Sequence, residues 1–119
     1  MNCTPDRPSY WVPNTNVFVS PAGHLIIKVE LSGITSTGLQ ISIEGNKLTI
    51  KGKRDDPEAV SATHTLVNEI NIGPFESVLE LPTEYDLAKA SSNFLNGVLR
   101  IAVPRNSSPQ LPPQISLEG

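Results

Sequence analysis

The chain is poor in the residues that chemistry needs. It has two histidines, His24 and His64, and neither has another metal-ligating residue beside it. A metal centre takes three or four convergent ligands, usually closely spaced, so no metal is expected. The one cysteine, Cys3, cannot form an internal disulfide. On a proline-broken terminus it has no rigid scaffold for nucleophilic work, and it reads as an incidental thiol. No window approaches the ~20 apolar residues of a membrane span. The net charge is −3, and the largest basic cluster is Lys51, Lys53 and Arg54. That argues against nucleic acid and anionic membrane as partners, and the three side chains read as a solvated face. Gly33 and Gly38 follow a strand but no helix begins after them, so they form no phosphate cradle. Asp55, Asp56 and Glu58 lack the glycine and the bidentate glutamate of a calcium loop and read as a solvated turn. Glu76, Glu80, Glu84 and Asp86 are scattered, and nothing selects a catalytic carboxylate pair among them. Neither an enzyme nor a cofactor is expected. The first residues hold no apolar run behind a basic start, so a signal peptide is not expected and a cytoplasmic location is the default.

What is present is alternation. Among 119 residues, 38% are hydrophobic and 18% charged, the balance of a globular domain. Leu25, Ile27, Val29 and Leu31 share one face of a run whose other face carries Lys28 and Glu30. Leu39, Ile41 and Ile43 alternate with polar residues, and Leu48 and Ile50 follow across Gly45-Asn46. That dipeptide supplies the positive-φ residues of a tight hairpin, in the reverse of the strongest order. Further strands are expected at Asn16–Ser20, His64–Ile72, Phe75–Leu81, Ala90–Leu95 and Val98–Val103, with Asn96-Gly97 as another hairpin turn. Glu84–Lys89 suits one helical turn, too short to contribute. Seven or eight short strands with turn signals between them indicate an all-β, immunoglobulin-like antiparallel β-sandwich.

Two features exceed a plain sandwich. More than twenty residues separate Gly52 from Phe75, with one weak strand in the middle, and loops of that length usually do a job. A strand on such an arm folds back on its own sheet or pairs with a neighbour's exposed edge. The chain also closes on Ile115-Ser116-Leu117, two same-face aliphatics behind a proline-spaced tether. About ten extended residues span roughly 30 Å, enough to reach another subunit. The pair is a candidate hook, and a hook implies a groove. If the strand of Leu39, Ile41 and Ile43 lies at an edge, its apolar side chains are only partly covered, although ordinary core is expected for two of the three.

Several motifs in order resemble the α-crystallin family of small heat-shock proteins. Trp11-x-Pro13 with Asn16-Val17-Phe18 resembles the family's approach to its domain. Glu30-Leu31-Ser32-Gly33-Ile34 resembles its Leu-Pro-Gly corner. Gly45-Asn46-x-Leu48-x-Ile50-x-Gly52-x-Arg54 resembles the central hairpin, and Phe75 through Leu81-Pro82 the strand after the long loop. Ala90-Ser91-Ser92-Asn93-Phe94-Leu95-Asn96-Gly97-Val98-Leu99-x-Ile101-x-Val103-Pro104 resembles the family's most recognisable stretch, and Ile115-Ser116-Leu117 its terminal Ile-x-Ile/Val. The match covers about residues 11–117.

The resemblance implies an α-crystallin domain over 15–105, a short N-terminal arm over 1–14 and a C-terminal extension over 106–119. It implies an ATP-independent holdase that binds unfolding client proteins and assembles from homodimers into larger homo-oligomers. Asn16, Val17, Phe18 and Val19 would pair with the long loop of a second subunit through His64, Leu66, Val67 and Ile70. Ile115 and Leu117 would dock in a groove formed by Leu39, Ile41, Ile43, Ala90, Ser92 and Phe94. Ser32 replaces the corner proline, and Ser77 stands where the family has an arginine and the interface ion pair it makes. Two other readings are a monomeric sandwich co-chaperone of a nucleotide-driven chaperone, and an immunoglobulin-like adhesion module. The first would need neither hook nor exchanged arm, and the second would normally be secreted.

Overall fold

The computed structural model describes residues 10–106. Cys3 and the hook residues Ile115 and Leu117 lie outside the described residues. Seven strands form in chain order: β1 (Thr15–Val19), β2 (Leu25–Glu30), β3 (Gln40–Glu44), β4 (Lys47–Arg54), β5 (Gly73–Glu80), β6 (Ser91–Leu95) and β7 (Val98–Val103). A single helical turn, α1 (Pro57–Val60), follows β4. The strands make two antiparallel sheets, one ordered β1-β2-β7-β6 and the other β3-β4-β5. Strand ends fall within one or two residues of those expected from alternation.

The core lies between the central strands. Leu25, Ile27 and Val29 of β2 and Leu99, Ile101 and Val103 of β7 face Leu48 and Ile50 of β4 and Phe75 of β5. Burying each such side chain contributes about 1.5–3 kcal/mol before conformational entropy is subtracted. Three residues between β5 and β6 also join the core, Leu81, Tyr85 and Leu87. The Glu84–Lys89 segment, expected to contribute nothing, therefore closes one end of the sandwich. It does so as a 3-10 turn over Leu87–Lys89, held by the Asp86 amide donating to the Pro104 carbonyl at 2.7 Å.

The two hairpins solve their turns differently. Asn96 and Gly97 both take positive φ, 54° and 79°, the signs of a type I′ turn. A side chain at position 97 would also meet the Ser32 Cα at 2.9 Å, because Leu31 donates to the Gly97 carbonyl. In the β3–β4 turn only Gly45 has positive φ, so the expectation of two such residues is corrected. Glycine at the first central position is the type II′ preference, which leaves Asn46 free for another task. Its side-chain amide donates to the Leu81 carbonyl at 2.7 Å and ties the hairpin to the end of β5.

A larger correction concerns His64–Ile72, which forms no strand. Its alternation is weak, and a strand needs a ladder partner. Within the single chain, this segment has none among the described residues. The acidic knot before it is a capped turn: Asp56 accepts from the Ala59 amide at 3.3 Å and starts α1. Asp55 pairs with Lys53 at 3.5 Å on the surface.

Candidate functional site at the sandwich edges

Cross-strand partners in an antiparallel pair share a face. Ile41 pairs with Ile50, and Ile43 with Leu48. The β4 members are sealed, at 0% and 1% exposure, whereas Ile41 and Ile43 are 38% and 47% exposed. Leu39 is half-buried. Ordinary core was expected for two of these three residues, and that expectation fails. The reason is position, since β3 ends its sheet.

The other sheet ends on β6, where the same arrangement recurs. Phe94 pairs with buried Leu99 and Ser92 with buried Ile101, so both β6 residues have the inward parity. Phe94 and Ala90 are half-buried against the core cluster, and Ser92 is exposed. The six residues expected to form a groove therefore sit on, or just before, two edge strands bordering one core. Each edge strand leaves alternate backbone donors and acceptors without a strand partner. An apolar border beside an unpaired edge suits an extended peptide with apolar side chains at alternate positions.

The second candidate edge is β1, which among the described residues pairs only with β2. Val17 and Val19 lie opposite Ile27 and Leu25 on the inner face, and Phe18 lies opposite Ile26 on the outer face. All three are about half exposed, and Asn16 is exposed too. The long arm is more open still. His64 is exposed, Leu66 is 95% exposed, and Val67 and Ile70 are largely so. Within one chain the structure does not bring these arm residues onto β1. A concave space of about 640 Å³ lies inside the arm, bordered by Asp56, Val60, Val67, Ile70 and Ile72.

Among the described residues, no three of His, Cys, Asp and Glu cluster as a metal site would require. No helix there is long and apolar enough to cross a membrane. Ser77, at the family's arginine position, is 4% exposed on the inner face of β5 opposite Ile50. This chain therefore carries no charge at that position.

The reading of Lys51, Lys53 and Arg54 as one solvated face holds for the two lysines and fails for Arg54. Even positions on β4 carry Leu48 and Ile50 inward, so Arg54 has the core-facing parity. Its Nε donates to the Ser32 carbonyl and its Nη1 to the Asn71 carbonyl, each at 3.0 Å. The guanidinium carbon lies 4.5 Å from the centroid of the Trp11 ring. Trp11 is fixed in turn by its Nε1 donating to the Gly73 carbonyl at 3.0 Å and by a tilted contact with Phe75. Tyr10, its neighbour, is about half exposed.

Against this geometry, the model of the Hsp20/alpha crystallin family matches residues 19–118. The chain belongs to that family. Small heat shock protein IbpB of Enterobacter sp. (strain 638) is 33% identical over 102 residues, covering 86% of this chain and 69% of the relative. Small heat shock protein C2 of Rickettsia felis is 28% identical over 94 residues, covering 79% of this chain and 60% of the relative. The chain thus spans between about three-fifths and two-thirds of these relatives' lengths. A small heat-shock protein from Xylella fastidiosa, described as having a distinct high order structure, superimposes with a TM-score of 0.77. That match covers 93% of this chain and all of the other at 23% identity, and it shows the shared fold. The Hsp20/alpha crystallin family is one of chaperones rather than enzymes. Membership gives no support to the monomeric co-chaperone reading.

Proposed function

We propose that this chain is an ATP-independent holdase that assembles from homodimers and keeps unfolding proteins soluble in the cytoplasm. The observation that carries the reading is the contrast across β3 and β4. Ile41 and Ile43 have the parity of a sealed core, yet remain open to solvent at an edge. Such an edge accepts an extended apolar segment by adding main-chain hydrogen bonds and filling side-chain pockets. Residues 15–105 would act as the domain, 1–14 as an N-terminal arm and 106–119 as an extension. Ile115 and Leu117 of a neighbouring extension would occupy the groove formed by Leu39, Ile41, Ile43, Ala90, Ser92 and Phe94. Their release would expose the groove to client segments.

In the dimer, Asn16–Val19 of one subunit would receive residues 64–70 of the other as an added strand. The nearly complete exposure of Leu66 in the single chain supports this, because an apolar arm that folds back on nothing needs a second surface. The test is aggregation of a thermally unfolded model enzyme, followed by light scattering without nucleotide. Suppression at equimolar chain is expected. Undiminished scattering at a severalfold excess would remove the holdase reading.

A further inference from the structure

Two segments leave the sandwich at the same corner. The chain before β1 crosses beside β5, where the Trp11 amide donates to the Pro74 carbonyl and Glu76 donates back to the Trp11 carbonyl. The long arm starts at Arg54 and returns at Asn71, and the β4–β5 ladder closes its neck at Arg54–Gly73. One side chain touches both segments. Arg54 bonds the returning neck at Asn71, bonds the corner at Ser32, and lies over Trp11. A planar guanidinium can do this because its donors diverge in one plane while its face stacks on a ring. The same side chain overlooks a cleft of about 380 Å³ between Trp11, Glu30, Ser32 and Asn71.

We infer that Arg54 is a positioning residue that couples the N-terminal segment to the long arm. Loosening the neck at Asn71 frees one donor and lets the guanidinium tilt away from Trp11. Loss of the Trp11 stack removes the face that orients the fork towards Asn71. The arm's direction and the docking of the N-terminal segment are therefore set together. This inference does not depend on the chaperone reading, since coupling is a property of the chain whatever the arm binds.

Trp11 is the only tryptophan in the chain and reports on its own environment. The experiment compares Trp11 emission and iodide quenching in the full chain and in Arg54→Ala, Asn71→Gly, the double variant and Arg54→Lys. Asn71→Gly keeps the bonded carbonyl and only loosens the backbone around it. Coupling through Arg54 predicts a red-shifted, more quenchable Trp11 in Asn71→Gly. It also predicts no further change when Asn71→Gly is added to Arg54→Ala. Arg54→Lys retains a cation but not the fork, and is expected to leave the Asn71→Gly effect largely uncoupled. Glu76 amide exchange, which reads the bond to the Trp11 carbonyl, should accelerate about tenfold in Arg54→Ala, the scale of one lost charge-assisted bond. Two results overturn the inference. One is an Asn71→Gly chain with native Trp11 emission. The other is an equal Asn71→Gly shift with and without Arg54. Ile101→Val serves as the stability control, because it weakens the core without touching this corner, and its Trp11 emission should match the parent.

Discussion

A methyl group at position 52 has nowhere to go. The β-carbon of an alanine there would sit 2.5 Å from Cζ of Phe75 and 2.8 Å from the Gly38 carbonyl oxygen, and the strand partner itself is Phe75. Gly52→Ala is expected to cost about 1–3 kcal/mol through overpacking, read as a lower urea midpoint with an unchanged slope. Part of this was legible in the chain. Alternation assigns position 52 to the inward row of Leu48 and Ile50, and a missing side chain in a core row signals a bulky neighbour. Which neighbour it is depends on register with a strand more than twenty residues away, and no local pattern encodes that. Arg54 taught a related lesson. Its parity pointed inward, but its charge and its neighbours Lys51 and Lys53 suggested water. The arrangement of Trp11, Ser32 and Asn71 that satisfies it exists only once the fold has formed.

At the level of elements, β3 and β4 invite a direct comparison. Leu48 and Ile43 are cross-strand partners of similar size on one face. Leu48→Ala empties a sealed site and is expected to cost about 2–5 kcal/mol. Ile43→Ser removes a side chain that water already reaches, and a cost below ~1 kcal/mol is expected. Urea denaturation of the two variants separates them. If Ile43 borders the groove, Ile43→Ser should also lower the native mass measured by light scattering while leaving stability nearly intact. An equal loss of stability in both variants would show that the groove residues are plain core. Of the eight runs expected as strands, five carry alternating apolar rows and formed, as did Asn16–Ser20, whose apolar residues are consecutive. The seventh, Ala90–Leu95, is rich in small polar residues and formed because β7 offered it a partner. The eighth, His64–Ile72, had pattern without partner. Periodicity records which faces a segment could offer, whereas ladder formation depends on what stands alongside.

For the whole molecule, the two tails and the surface charges set the expectations. If the chain assembles as proposed, Ile115→Ala combined with Leu117→Ala should leave dimers intact and reduce the mass of larger assemblies, as measured by size-exclusion light scattering. Unchanged mass would assign the tail another task. Electrostatics should matter little to the fold. The two ion pairs among the described residues, Lys47–Glu44 and Lys53–Asp55, are exposed and 3.9 and 3.5 Å long. Such pairs contribute ~0–1 kcal/mol and are screened by salt, so the urea midpoint should barely move between low and high sodium chloride. The division into a four-stranded and a three-stranded sheet was not legible in the chain, because alternation says nothing about which strands become neighbours.

That division carries an arithmetic consequence. Two open sheets have four edge strands, and among the described residues three of them, β1, β6 and β3, have no strand on their outer side. Any of these edges can take an added strand, and the origin of that strand has a thermodynamic signature. A strand borrowed from another molecule makes the melting temperature climb with protein concentration, by mass action. One borrowed from the same chain leaves it flat. A dilution series followed by circular dichroism would therefore reveal whether the fold is complete in one copy or is finished only in company.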